Sequence, residues 1–247
     1  MRKNIVIIGA NSDIARECAL IWAQQNHDLT LASRDLSELK EQETVLIKEG
    51  CNTVSSVALD VTDRNSMEEF LDKCFSQDKT IDLVLVAHGV LLKSDSQEAK
   101  EVQALEAFID VNGVSTILII RHLLNRFVHL KRGHIAVISS IAGDRSRPSN
   151  LEYGLSKQMV SFYMDGLRRE AKESGIKLSL VKPGLIRTKM TAHLKEGMLF
   201  TSSKAAARSI VNGIDSNKFE FYVPSYWRII SIVLKLVPYK ILSRLNI

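Results

Sequence analysis

The stretch Asn4-Ile5-Val6-Ile7-Ile8-Gly9-Ala10-Asn11-Ser12-Asp13-Ile14-Ala15 decides how the chain folds. Its apolar, β-branched opening run reads as a buried strand. Gly9 then marks a tight turn, and Asn11 or Ser12 can cap a helix whose apolar spacing continues to about Gln24. A glycine at such a turn lets the backbone approach a pyrophosphate, and the helix N-terminus behind it offers free N–H groups and a positive dipole end. With one glycine, the segment reads equally well as a capped helix that holds nothing.

Six further apolar runs follow, Leu29 to Ala32, Val54 to Leu59, Ile81 to Ala87, His134 to Ser139, Ile176 to Val181 and Phe219 to Val223, with helical patterns between them. Strands alternating with helices argue for βαβ units and a mainly parallel sheet, and right-handed crossovers wind such a sheet in both directions. The expected architecture is one α/β domain over residues 1–224, with about seven strands in the order 3-2-1-4-5-6-7 and helices on both faces. A tail over residues 225–247 follows. Thr188 to Lys204 lacks an apolar period and reads as a flap over the site.

A chain of 247 residues with 45% hydrophobic content is long enough for one large core. The net charge of +5 is scattered, with no aromatic-interleaved basic stripe, so nucleic acid is not an expected partner. Cys18, Cys51 and Cys74 are odd in number and lack metal-ligand spacing, which suggests reduced thiols and no metal site. Met1 to Asn4 pass straight into Ile5 to Ile8, too short a run for a signal peptide, so a cytoplasmic location is expected.

Chemistry concentrates around Tyr153 and Lys157, four residues apart at the start of a helical stretch, with Ser140 thirteen residues upstream and Asn112 twenty-eight before that. Positions i and i+4 share a helix face, so the ammonium can sit near the phenol and favour the phenolate. That makes the pair a candidate general acid/base. A Tyr-x-x-x-Lys pair alone is weak, since chance supplies about 0.4 of them in this composition; the upstream serine and asparagine make the set specific. Ser140 sits just past an apolar strand, at the end where open parallel sheets place ligands. Asn112 interrupts a long apolar helical stretch from about Glu106 to Leu130, where a polar side chain needs a partner or causes a kink.

The second strand ends Ala32-Ser33-Arg34. A basic residue in place of the acid that binds a ribose 2′-OH leans towards a 2′-phosphate, hence NADP(H) over NAD(H); the bland reading is a solvated arginine. Asp60-Val61, after the third strand, could contact an adenine ring, or Asp60 could simply make a turn.

Together these residues resemble the short-chain dehydrogenase/reductase family, whose fold is Rossmann-like, over roughly Lys3 to Pro224. Asn112, Ser140, Tyr153 and Lys157 match its catalytic tetrad, and Lys182-Pro183-Gly184 with Thr188 its nicotinamide-side segment. The resemblance implies that Tyr153 donates a proton to a carbonyl oxygen as hydride arrives and that Ser140 hydrogen-bonds that oxygen. It further implies that Lys157 lowers the tyrosine pKa and holds the nicotinamide ribose, that Asn112 holds a water, and that Thr188 orients the carboxamide. The cofactor set it implies is Gly9, Asn11, Ser12, Asp13, Ile14, Ser33, Arg34, Asp60, Val61, Ala87, His88, Gly89, Tyr153, Lys157, Pro183, Gly184, Ile186 and Thr188. The family pattern is not complete. Asp13 and Ala15 stand where glycines are usual, Ile8 replaces a threonine, and Val86-Ala87-His88-Gly89 replaces Asn-Asn-Ala-Gly. Asp13 either points away from a pyrophosphate or weakens its binding. His88 reads as a hydrogen-bonded structural residue.

In the tail, Phe221 to Ile247 contains no acidic residue, while Arg228, Lys235, Lys240 and Arg244 are basic. Arg228, Ser231 and Lys235 form one helical stripe, with Trp227, Ile229, Ile230, Val233, Leu234 and Val237 on the rest of the surface, up to Pro238. A basic amphipathic helix flanked by Tyr226, Trp227 and Tyr239 suits an inner-leaflet anchor; packing over the pocket or a subunit interface suits it equally. The tail and the altered turn are also similar to a family branch that reduces polyprenyl-phosphate-linked keto-sugars. The expected function is therefore an NADPH-dependent ketone reductase acting on a small-molecule or lipid-linked carbonyl, as a homodimer or homotetramer. The alternatives are a soluble ketone as substrate and a non-catalytic NADP(H)-binding scaffold or sensor.

Overall fold

A computed structural model describes residues 1–76, 80–91, 101–195, 197–238 and 240. Parallel strands β1 (Asn4–Ile8), β2 (Asp28–Ser33), β3 (Val54–Ala58), β4 (Leu83–Val86), β5 (His134–Ile138) and β6 (Lys177–Pro183) form a sheet. A short separate parallel pair, β7 (Ile186–Arg187) and β8 (Thr201–Ser202), lies in the flap region. Strand β9 (Glu220–Val223) closes the main sheet, whose seven strands run in the order β3-β2-β1-β4-β5-β6-β9. This is the expected doubly wound order, with β9 as its seventh member. The β7–β8 pair was not expected, because two-residue strands leave no periodic signal.

The apolar runs are continuous because both sheet faces are covered. Along β1, Val6 and Ile8 point into one core with Val84, Val86, Ile135 and Val137, while Ile5 and Ile7 point into the other with Leu29, Leu31, Leu83 and Leu85. Helices α1 (Asp13–Gln24) and α2 (Leu36–Lys48) cover the second face, and α3 (Arg64–Cys74) covers the first.

Next comes a 29-residue helix, Val102–Leu130, long and apolar enough to cross a membrane yet half buried inside the protein. It begins four residues before its expected start and consists of α4 (Val102–Ile109), a π turn over Asp110–Val114 and α5 (Ser115–Leu130). Ile119, Ile120, Leu123, Leu124 and Phe127 are fully buried, so it serves as a core helix. Helix α6 (Leu151–Gly166) packs beside it, followed by α7 (Arg168–Glu173), α8 (Ser203–Asp215) on the second face, and α9 (Trp227–Leu236). Tyr239 and residues 241–247, including Arg244, lie outside the described residues.

The chain winds outward from β1 to β3 and then restarts at β4 on the other side of β1. That reversal leaves a crevice beyond the carboxyl ends of β1 and β4, where Gly9 and Ala87 to Gly89 emerge.

Candidate active site

At the β1 end, Gly9 adopts φ +82°, and a side chain there would place its Cβ 2.3 Å from the main-chain nitrogen of His88. Main-chain bonds hold this turn: Gly9 and Ala10 N–H donate to Ala32 O at 2.8 and 3.1 Å, and Ala87 N–H donates to Ile8 O at 2.8 Å. The turn therefore needs no help from the side chains that Ile8 and Val86 to His88 lack. Ser12 caps α1, accepting from Ala15 N–H at 3.4 Å. Asn11 donates to Asp35 O at 3.0 Å, and its own carbonyl oxygen is buried without a partner among the described residues. The Asp13 carboxylate accepts from Lys189 N–H at 2.6 Å, so its charge is directed to the flap.

Arg34 is exposed beside Ser33, and among the described residues its guanidinium makes no hydrogen bond or salt bridge. Asp60 makes the turn that its sequence allowed, accepting from Thr62 N–H at 2.9 Å and from its hydroxyl at 2.6 Å.

At the other end, Asn112 is fully buried inside the π turn. Its amide donates to Phe108 O at 3.0 Å and accepts from Val90 N–H at 2.9 Å. Of the two alternatives, a partner or a kink, the partner is observed, and a π turn marks the position within the continuous helix. Because both ends of the amide are engaged by backbone, Asn112 anchors the segment after β4 to the long helix. His88 is the hydrogen-bonded residue expected, with Nε2 3.0 Å from both Ser115 Oγ and Thr116 Oγ1. Burial, and after it the Lys157 ammonium, push its pKa down to about 3, so the ring is neutral.

Ser140 leaves β5 and caps a short 3₁₀ turn, Ile141–Asp144, by accepting from Ala142 N–H at 3.1 Å. Tyr153 and Lys157 project from the first turns of α6. Lys157 is 3% exposed, lies 5.7 Å from the Tyr153 ring centre and donates to Ile138 O at 3.2 Å. Burial pushes Tyr153 up to about 12, against the opposing hydrogen bond from Ser140, and burial pulls Lys157 down to about 8. Burial thus opposes the lowering that a nearby ammonium would give the phenol. The ammonium is tied to a strand carbonyl, and desolvation outweighs it.

These residues surround one cavity of about 340 Å³. Gly9, Asn11, Ser12, Asp13, Ile14, Ser33, Arg34, Asp60, Val61, Ala87, His88 and Gly89 line it at the β1–β4 side, and Ser140, Tyr153, Lys157, Pro183, Gly184, Ile186 and Thr188 at the other. Of the expected residues, only Asn112 stands behind the wall. The cavity is also lined by Val90, Val111, Ser139, Lys189, Met190 and Thr191, which were not anticipated. The last three belong to the flap, where a Thr188–Thr191 capping box over a 3₁₀ turn holds them. The T-x-x-T spacing was the one available signal for that turn.

The tail contributes a second unanticipated cluster. Asp144 accepts from Lys182 Nζ at 2.7 Å, Tyr222 OH at 2.8 Å and Ser231 Oγ at 2.5 Å. Although burial opposes it, these bonds hold the Asp144 carboxyl below its usual range. Trp227, which was expected as an interfacial flank, instead faces inward against Gly184, where a Cβ would lie 2.0 Å from the indole nitrogen.

Comparison with known proteins places this geometry among relatives. A family model described as short chain dehydrogenase matches residues 3–199. An uncharacterized oxidoreductase of Staphylococcus saprophyticus is 30% identical over 189 residues, covering 76% of this chain and 80% of that one. The fold is similar to that of a short-chain dehydrogenase from Sphingobium yanoikuyae solved in complex with NADPH, with a TM-score of 0.81 and 22% identity over 99% of this chain and 96% of that one. It is similar as well to a bulky-bulky ketone specific alcohol dehydrogenase from Comamonas testosteroni, with a TM-score of 0.79 and 20% identity over 99% and 95% of the two chains.

Proposed function

The chain belongs to the short-chain dehydrogenase family and is an oxidoreductase, and from that premise we propose that it reduces a ketone to an alcohol with NADPH. The observation that carries this reading is the convergence of Ser140, Tyr153 and Lys157 on the same cavity as the Gly9 turn. The residues fit a dinucleotide: the turn at Gly9 is bare of side chain, and, among the described residues, the buried Asn11 oxygen lacks a partner and Arg34 makes no ion pair, which suits a 2′-phosphate. A reduced nicotinamide supplies hydride to a carbonyl carbon when bound.

The chain's own residues handle the proton. With its phenol pushed up to about 12, Tyr153 holds its proton at neutral pH and can donate it to the carbonyl oxygen. Ser140 would hydrogen-bond the same oxygen as charge develops on it. Lys157 stays largely protonated at pH 7, with a pKa of about 8. The Lys157 ammonium, 5.7 Å from the ring centre, favours the phenolate and so opposes part of the burial cost. Preference for NADPH over NADH follows from Arg34 in this reading. Thr188, at the pocket's flap edge, would orient the carboxamide.

The substrate could be a soluble ketone or a hydrophobic, lipid-linked keto-sugar. The apolar exposure of the tail favours the second, with residues 225–247 making a peripheral contact on an inner leaflet and a homo-oligomer as the working unit. NADPH consumption would be followed across a carbonyl panel spanning soluble sugars, bulky ketones and a lipid-linked keto-sugar. Turnover of at least one carbonyl is expected. A protein that binds NADPH and reduces none of them is a scaffold or sensor.

A further inference from the structure

Helix α9 turns a serine inward and an apolar stripe outward. A helix packed on a soluble protein turns its apolar residues inward and its polar ones to water. Here Ser231 is 1% exposed and donates to Asp144, and Lys235 reaches the same carboxylate at 3.5 Å. Trp227 is buried and Arg228 and Lys235 are exposed, but four apolar residues are turned outward beside these cations. Ile229, Ile232, Val233 and Leu236, at i, i+3, i+4 and i+7, are 68%, 51%, 54% and 78% exposed. Such a stripe in water is a liability unless something covers it.

The neighbouring flap continues the same character. Tyr226 OH donates to Leu199 O at 3.0 Å, tying the start of α9 to a segment whose Leu194, Met198 and Leu199 are also exposed. Charge follows the same segments. Residues 184–247, which contain both, hold ten lysines and arginines against three acids, Glu196, Asp215 and Glu220, whereas the whole chain nets only +5, so the remainder is net acidic. Two copies meeting symmetrically through α9 would bring the Arg228 and Lys235 cations of one copy close to those of the other. An anionic lipid surface receives both the apolar stripe and the cations that flank it.

We propose that the outer face of α9, with the adjoining flap segment, docks on an anionic phospholipid membrane. The inward face of α9 seats Trp227 on Gly184, which lines the cavity, so the docked surface adjoins the substrate end of the site. This deepens the reductase reading and rests on it only for what the docked cavity receives.

The test uses the full chain, sedimented with vesicles of pure phosphatidylglycerol or of pure phosphatidylcholine. Binding to the first, weakened by salt, and little binding to the second are expected. The double variant Ile232→Ser/Leu236→Ser should lose about tenfold or more of that binding. Its NADPH turnover on a soluble carbonyl should be unchanged. Phe162→Ser, on the equally exposed Phe162 of α6, should leave vesicle binding intact. Failure to sediment with phosphatidylglycerol, or an equal loss in the Phe162 variant, overturns the proposal. So does a dimer that the double variant dissociates while vesicle binding is absent, since the face then belongs to a second copy. Vesicle binding without turnover of any carbonyl would sink the reductase reading and leave the docking surface standing.

Discussion

Lys157 illustrates a conflict between function and stability at a single residue. Burial lowers its pKa from an ordinary value near 10.5 to about 8, so at neutral pH the fold bears a buried charge. Lys157→Met should therefore stabilise the protein at pH 7, by up to about 3 kcal/mol in a denaturant titration, while abolishing turnover. The sign follows from proton binding: between pH 8 and 10.5 the unfolded chain holds a proton that the folded one has lost, so wild-type stability gains on the variant as pH rises through that window. An advantage for the variant that is constant with pH would contradict the assignment. Arg34 acts at the same scale. Arg34→Ala should raise the KM for NADPH about tenfold to a hundredfold and leave NADH nearly untouched, the loss of one or two charge-assisted hydrogen bonds. A clear NADH preference in the wild type would remove the claim. The depth of burial behind these effects was not legible in the sequence. Spacing makes Tyr153 and Lys157 neighbours, but it does not say how far from water they lie.

Among the elements, the main strands were legible because burial on both faces makes their apolar runs continuous, as at Ile5 to Ile8. The π turn was foreshadowed by a lone Asn112 in an apolar helix. Helix α9 was legible as an amphipathic helix but not in its orientation, since a period of 3.6 defines stripes without saying which one meets the protein. The deciding partner, Asp144, draws its bonds from 38 to 87 positions away, and no local pattern announces that. The altered glycine turn gains a meaning that sequence could not supply. Asp13 tethers the flap through Lys189 N–H. Asp13→Ala should speed tryptic cleavage after Lys189 in the cofactor-free protein several-fold, about what losing one charge-assisted bond of 1 kcal/mol or more allows. An unchanged cleavage rate would show that the contact does not restrain the flap.

For the whole molecule, two buried neutral histidines set an acid limit. Burial first, then nearby lysines, push His88 down to about 3 and His134 to about 4, well below the ordinary 6.5. A histidine with a lowered folded pKa contributes stability above its unfolded value, and that contribution is lost as pH falls from about 6.5 towards 4, where the unfolded chain takes up protons that the fold refuses. The urea midpoint should therefore drop between pH 7 and pH 5, and a rise on acidification would contradict the burial assigned to these rings. At this scale the sheet order, the switch-point crevice and the cavity between Gly9 and Tyr153 form one frame, with the proton donor at one end and Arg34 at the other. The most direct test of that frame measures NADPH affinity and carbonyl turnover together in Tyr153→Phe. Removing the hydroxyl should leave the affinity within about threefold of wild type and cut turnover by about a hundredfold or more, the range of a lost general acid. Turnover that survives with the hydroxyl gone would show that Tyr153 does not supply the proton.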